Sequence, residues 1–445
     1  MAGWLPLVSV VEFPRSFEGE PTPEELATLA SPGTYPVPPG RGRWRFTVHA
    51  RRWNAGDDWR TTMLAELTDA RVRRVEKVLN GRAACSFTID GYSSQAHLIT
   101  ELASDICAWR WDDRAGMDRM IFRGIVDNAE DTITEEDAVV QFTAHNYLAM
   151  VDRRFITAPA GLTFTQIEQD QIIGTLATNA STITPSAGGA SFDPGDNLQL
   201  QMGFMNPDGT TRPQGSGNVV RDRTYEPGKS YGEAINDMSD DINGFDYDLD
   251  HEMFAGWDRL RIWYPYQGTA RDDVTLLYGS TVRALTRTVA ASDYANYVRV
   301  IGATPSGGTT PLWAEAWNAD ANDVTRTPVG LWMRSENLTD VSLQPTLNDR
   351  ARGMVDRYGL LVPSYAVTMR PDAYSWGFPN MGDTVPLIVQ AGRLDVNTTV
   401  RVVGITWNIG DDGQEDVELT VGRPLSSLVS LLRKYGSNID QLARR

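Results

Sequence analysis

Four strand-like pieces occur twice in this chain, in the same order. "SFTID" (86–90), "ASDICAWRW" (103–111), "FRGIV" (122–126) and "VVQFTA" (139–144) match "AVTMR" (366–370), "MGDTVPLIV" (381–389), "VVGIT" (402–406) and "DVELTV" (416–421). The intervening segments number 12, 10 and 12 residues in the first copy and 10, 12 and 9 in the second. Order and spacing repeated together point to one small β-unit built twice. Matched details support this. Asp105 and Asp383 each precede a strand, where an Asp side chain can bond its own backbone. Gly124 and Gly404 each interrupt a strand, where a bulge or close backbone approach leaves no room for a Cβ.

The rest of the chain is placed around these copies. Residues 1–42 are Pro-rich, and "SPGTYPVPPGRG" excludes helix and central strand, so an arm or linker is expected, with one short helix at "TPEELATLA". From Trp44 short alternating runs begin with "RWRFTVHA". After Met150 the pattern turns helical. "TFTQIEQDQIIGTLATNA" predicts a helix over 163–180, with Thr165 and Glu168 as a capping box and Ile167, Ile172, Ile173 and Leu176 facing inward. Residues 181–229 are rich in Gly, Pro, Ser and Asn and predict a long surface excursion. A helix at 230–242, a hairpin from "FDYDLDHEMF" to "RLRIWYPY", a strand at "YVRVIGA", a polar loop over 304–330 and a helix at "LNDRARGMVDRYG" follow. The chain ends in a predicted amphipathic helix, 425–445, whose stripe of Leu425, Leu428, Leu431, Leu432, Tyr435, Ile439 and Leu442 suits either its own domain or a threefold axis.

Composition narrows the function classes. With 445 residues, two or three domains are expected. The formal charge of −17 argues against a protein that grips phosphates. No apolar run reaches the roughly 20 residues that span a bilayer, and the start lacks the marks of a signal peptide. The two cysteines, Cys85 and Cys107, are expected to be buried free thiols rather than metal ligands or a disulfide.

The segment "MIFRGIVDNAEDTITEEDAVVQFTAHNYLAMVDRRFI" resembles one found in siphophage tail-tip and baseplate hub proteins, a family shared with contractile-tail baseplate hubs. It departs from that pattern in placing His145-Asn146 where an acidic residue is common. "LLYGSTVRALTRTVAASDYANYVRVIGA" is similar to the passage into that family's second ring domain, and "GDTVPLIV" with "RVVGITWNI" and "VELTVGRP" to its closing strands. The resemblance spans most of residues 44–424. It implies a mainly β fold with an α+β insertion, in which two similar β-barrel-like tube domains per chain close a trimer into a pseudo-sixfold ring. It also implies a structural virion protein at the distal end of the tail, with a homotrimer, the distal tail protein ring, the tape measure protein and the central fibre or tip protein as partners. DNA would pass through an acidic lumen without specific binding.

Each group of candidate site residues has a plainer reading. Asp127, Glu130, Asp131, Glu135, Glu136 and Asp137 lie between two apolar runs and are expected in a solvated hairpin turn, with His145 in a local hydrogen bond. "SDDINGFDYDLD" imitates a calcium loop through Asp241, Asn243, Gly244 and Asp250, but Ser239 is wrong for its first position, and a helix cap followed by an edge strand is expected. Neither GxSxG nor HExxH occurs, and Cys107 falls inside a strand. The thirteen tryptophans, Trp109, Trp111, Trp257 and Trp263 among them, suit core or subunit interface better than sugar platforms. No catalytic, cofactor-binding or metal residue is therefore assigned. The expected organisation is an N-terminal arm (1–43), a first ring domain (44–155), an α+β insertion (156–280), a second ring domain (281–424) and a C-terminal helix (425–445). A tail-associated cell-wall or capsule hydrolase and a carbohydrate-binding β module are the rival readings.

Overall fold

The computed structural model describes residues 43–52, 60–112, 116–182, 186–187, 190–191, 200–217, 219–239, 244–251, 258–289, 291–292, 294–305, 308–318, 330–338, 341, 344–359, 363–371, 373 and 379–422. The expected N-terminal arm with its helix, the C-terminal helix, Trp257, and Asp241 and Asn243 of the calcium-like loop lie outside these residues.

The first repeat begins with β1 (Trp44–Arg52), β2 (Arg60–Glu66) and β3 (Arg71–Val78). It continues with β4 (Ala84–Asp90), β5 (Ser104–Asp112), β6 (Met117–Ile133) and β7 (Ala138–His145). Helix α1 (Leu148–Arg153), β8 (Leu162–Glu168), α2 (Gln169–Ser181), β9 (Ser186–Ala187), β10 (Ala190–Ser191), β11 (Leu200–Met205) and β12 (Val220–Tyr225) come next. They are followed by α3 (Tyr231–Ser239), β13 (Asp246–His251) and β14 (Asp258–Trp263). Then come β15 (Leu276–Leu277), β16 (Val282–Thr288), β17 (Tyr297–Ile301), β18 (Trp313–Trp317), β19 (Met333–Asn337) and α4 (Gln344–Tyr358). The second repeat closes with β20 (Ser364–Met369), β21 (Thr384–Ala391), β22 (Leu394–Ile409) and β23 (Glu415–Gly422).

One large sheet carries both repeats. Its order is β16-β20-β23-β22-β3-β4-β7-β6-β5-β1-β2, with β21 on β22 and β15 on β21. The duplication is therefore topological. The first copy runs β3-β4-β7-β6-β5-β1 and the second β16-β20-β23-β22-β21-β15. All eight pieces identified in the sequence fall on the eight corresponding strands. Alternation explains their placement: Cys85, Phe87 and Ile89 on β4, and Val417 and Leu419 on β23, are buried at every second position. Phe46, Phe87 and Phe142 form a tilted and edge-on aromatic row through the first copy.

Register corrects one sequence match. Leu102 and Gly382 both have positive φ, and their N–H groups donate to the carbonyls of Val126 and Val402. Next to these bonds Ile125 faces Asp105 and Arg401 faces Thr384, with one residue fewer between Gly382 and Thr384 than between Leu102 and Asp105. Val126 thus corresponds to Val402, and Gly124 corresponds to Val400 rather than to Gly404. Each glycine has its own reason: a Cβ on Gly124 would collide with the backbone of His145, whereas one on Gly404 would press on Thr420.

The segment between the copies has its own core. Ile172, Ile173 and Leu176 of α2, Ala234, Ile235 and Met238 of α3, and Leu249, Leu260 and Ile262 of the β13–β14 hairpin are buried together. The predicted helix starts later than the apolar spacing suggests. Residues 162–168 form β8, paired with β12, and Glu168 is the cap, its carboxylate accepting from the Asp170 N–H at 2.8 Å. The Thr165 and Glu168 capping box does not form, because strand pairing supplies the backbone partners of that stretch. The expected surface excursion over 181–229 likewise contains β11, parallel to β14, and β12.

A second compact unit is formed by the described residues of Thr286–Ala366. Within it β17 is flanked by β18 and β19, and Leu347, Ala351, Val355 and Tyr358 of α4 pack on Val298, Val300, Ala314 and Ala316. The loop expected over 304–330 thus holds a strand, Trp313–Trp317, whose small inward Ala314 and Ala316 hid its alternation.

Candidate functional site

The acidic hairpin is the first place to look for chemistry. Strand β6 runs to Ile133, so Asp127, Glu130 and Asp131 stand on a strand, and only Glu135, Glu136 and Asp137 lie in the turn. This corrects the expectation that all six crowd the connection. All but Asp127 are exposed. Asp127 is partly buried and meets His145 Nδ1 at 2.8 Å across the β6–β7 pair, the local bond expected for that histidine. Among the described residues no group of three His, Cys, Asp or Glu could hold a metal.

Buried polar groups concentrate instead in two places. In the first, Arg123 of β6 lies near Asp105 and over the ring of Tyr147, whose hydroxyl donates to Asp105. Burial opposes the charge on Arg123, but nearby Tyr147, Asp258 and Asp105 outweigh it and hold the pKa above the usual arginine value. His251 pairs with Asp258 at 2.9 Å. His49 is pushed down to about 4, by burial first and then by the Arg123 charge, and its Nε2 shares a 2.9 Å hydrogen bond with the Thr47 hydroxyl. Burial raises the pKa of both free thiols, Cys107 to about 12. Thiols so protonated are poor nucleophiles. The arrangement is a buried set of polar ties between β1, β5, β6 and the insertion.

The second place is the junction where β3 of the first copy pairs antiparallel with β22 of the second, Val78 opposite Gly404 through Arg73 opposite Ile409. The Glu415 carboxylate, 3% exposed, takes two hydrogen bonds from Arg110 at 2.6 and 2.8 Å and a third from the Trp44 indole. Trp44 and Trp407 meet with centroids 6.1 Å apart. Arg401 of β22 pairs with Asp246 of β13 and donates to the Gly382 carbonyl at 2.9 Å. Asn80, in the turn after β3, donates to Asp246 at 2.9 Å and accepts from the Tyr247 N–H at 2.7 Å. The Glu415 group joins the two copies, and the Arg401–Asp246–Asn80 group joins both copies to the insertion. A bidentate, fully satisfied ion pair of this kind fixes geometry more than it stabilises.

Sequence reasoning missed this junction. One signal was present: alternation in "EDVELTV" puts Glu415 on the same face as Val417, Leu419 and Val421, so a carboxylate was aimed at the core. Of the tryptophans singled out, Trp111 and Trp263 are buried, and Trp109 is partly buried with its indole donating to Thr47. Trp313, Trp317 and Trp332 are about half exposed. No described helix is long and apolar enough to cross a membrane.

No protein-family model and no curated protein matches the chain. Solved structures do. A tail protein from Neisseria meningitidis MC58 superimposes with a TM-score of 0.51 at 10% identity, covering 86% of this chain and 98% of its own. The 43 kDa tail protein of prophage MuSo2 from Shewanella oneidensis gives 0.51 at 12% identity, covering 86% and 99%. The chain has the fold of these tail proteins, in keeping with the resemblance of its sequence to the phage tail-hub family.

Proposed function

We propose that the protein is a structural component of a phage tail, a trimeric hub that closes the distal end of the tail tube. In this reading its two repeats supply six β-units to one pseudo-sixfold ring. The carrying observation is the β-unit built twice in one continuous sheet, in a fold shared with tail proteins. The ring domains of the proposal are 44–155 and 281–424, with 156–280 as the insertion. The hub binds the distal tail ring, the tape measure protein and the central fibre or tip protein. Its role is non-enzymatic, and the closed buried clusters are consistent with that.

Charge fits the same reading. Three copies bring about −51 formal charges, three times −17, around one axis. DNA carries one negative charge per roughly 1.7 Å of duplex, so an acidic wall lets it slide rather than stick. Light scattering and particle imaging of the purified chain test the proposal. A trimer with a central channel is expected, and a compact monomer at all concentrations would sink it.

A further inference from the structure

The unit built on β17, β18 and β19 buries one face of its sheet and leaves the other open. Val298, Val300, Ala314 and Ala316 pack on α4, and Arg334 of β19 lies over the ring of Tyr358 on the same side. Alternation sends the residues between them to the opposite face. Pairing sets these in three rows across the strands: Trp317, Tyr297 and Met333; then Glu315, Arg299 and Ser335; then Trp313, Ile301 and Asn337. Trp313, Trp317 and Met333 are exposed.

Both indoles are braced by neighbours. Trp317 stacks on Tyr297 with planes 9° apart, and the Arg299 guanidinium lies 5.3 Å from the Trp313 ring centre. Glu315 ties the two supports together, accepting from Arg299 Nε at 2.7 Å and from the Tyr297 hydroxyl. Rings fixed before a ligand arrives lose little entropy on binding it. The tryptophans stand at the two ends of β18, about 14 Å apart by strand rise, a length that a short oligosaccharide covers.

We propose that this face binds a neutral, β-linked oligosaccharide, with Trp313 and Trp317 stacking on sugar rings and the Arg299–Glu315 pair between them hydrogen-bonding hydroxyls. A protein docking patch has an apolar centre and a polar rim. Here the order is reversed, with an ion pair in the middle and aromatic rings at both ends. A sugar chain matches that order, presenting C–H faces to the rings and hydroxyls that both donate and accept. The guanidinium and the carboxylate each keep hydrogen-bonding capacity beyond their mutual bonds. A proline-rich peptide, another ligand of aromatic surfaces, offers carbonyl acceptors but few donors to Glu315. β-Linked chains are extended ribbons that suit a straight strand, whereas α-linked chains coil away from one. The formal charge of −17 disfavours an acidic glycan. The site does not depend on the hub reading.

Isothermal titration of the full chain with cellohexaose and chitohexaose tests this, with maltohexaose and a decaproline peptide as comparisons. Binding of a β-linked hexamer and none of maltohexaose is expected. Trp313→Ala and Trp317→Ala should each weaken that binding about tenfold with an unchanged circular dichroism spectrum, and Trp317→Tyr should recover most of the loss. No binding of either β-linked hexamer, binding that both alanine variants retain, or equal binding of maltohexaose would overturn the proposal. So would decaproline binding in place of sugar. If the alanine variants change the mass read by light scattering and no sugar binds, the face is a protein contact and the proposal fails.

Discussion

The two copies of the repeat share a strand order and differ at one hinge of it. Between β3 and β4 the first copy has residues 79–83, a short turn; between β16 and β20 the second has residues 289–363, which hold three strands and a helix. The ladder survives both. A connection at the end of a hairpin can be lengthened at an entropic cost that grows only slowly with length, whereas a residue inserted within a strand turns every later side chain to the other face. The sides differ too. In the first copy β5 is covered by the nine-residue antiparallel β1, and in the second β21 has only the two-residue parallel β15. Topology is what was kept, and length and direction of the flanking strands were free to change.

The copies also divide their buried charge unequally, and that asymmetry can be broken. Glu415 of the second copy corresponds to Ala138 of the first, so only one of the two positions ties the repeats together. Glu415→Ala leaves Arg110 buried without its carboxylate, and urea denaturation should show a loss of about 3–5 kcal/mol. Ala138→Ser, in the matched place, should change stability far less.

The next contrast is in pH dependence. His49 stands on β1, and β15, its counterpart, carries no histidine. A histidine buried as the neutral ring binds its proton more weakly folded than unfolded, so the unfolded chain gains protons first as pH falls. Its share of stability is present in full above the ordinary value near 6.5 and is lost as pH drops towards about 4. That shift corresponds to on the order of 3 kcal/mol. Thermal unfolding from pH 7 to 4 should show this slope in the native sequence, and His49→Gln should flatten it.

The smallest expected effect concerns the matched turn before β5 and β21. Leu102 sits at φ 61° and is 61% exposed, where Gly382 sits at φ 83° against the backbone of Gln267. Leu102→Gly relieves left-handed strain at little packing loss and should raise stability by about 0.5–1 kcal/mol, the relief net of the entropy a glycine loses. Gly382→Ala should cost at least about 1–2 kcal/mol. A small rise in melting temperature for Leu102→Gly with a larger fall for Gly382→Ala would support the turn equivalence, and a loss on Leu102→Gly would contradict it.

Local pattern fixed the strands. Alternation over five to nine residues identified all four pairs of repeated pieces, and Ile172, Ile173 and Leu176 were recognised as core from spacing alone, because side-chain direction depends only on the residue's own backbone. The same local signal overran at 163–168, where helix-compatible residues were taken into strand by a partner, β12, some 60 residues away. It also aligned Gly124 with Gly404, since a glycine in a strand looks alike wherever it falls. Register, the clasp of Glu415 with Arg110 and Trp44, and the Arg401–Asp246–Asn80 link needed tertiary structure, because each depends on residues that are adjacent only after the two copies and the insertion have met. The sequence by itself determined that a β-unit is made twice. Only the folded chain decided which edges are joined within it, since an edge is defined by its neighbours and not by its residues.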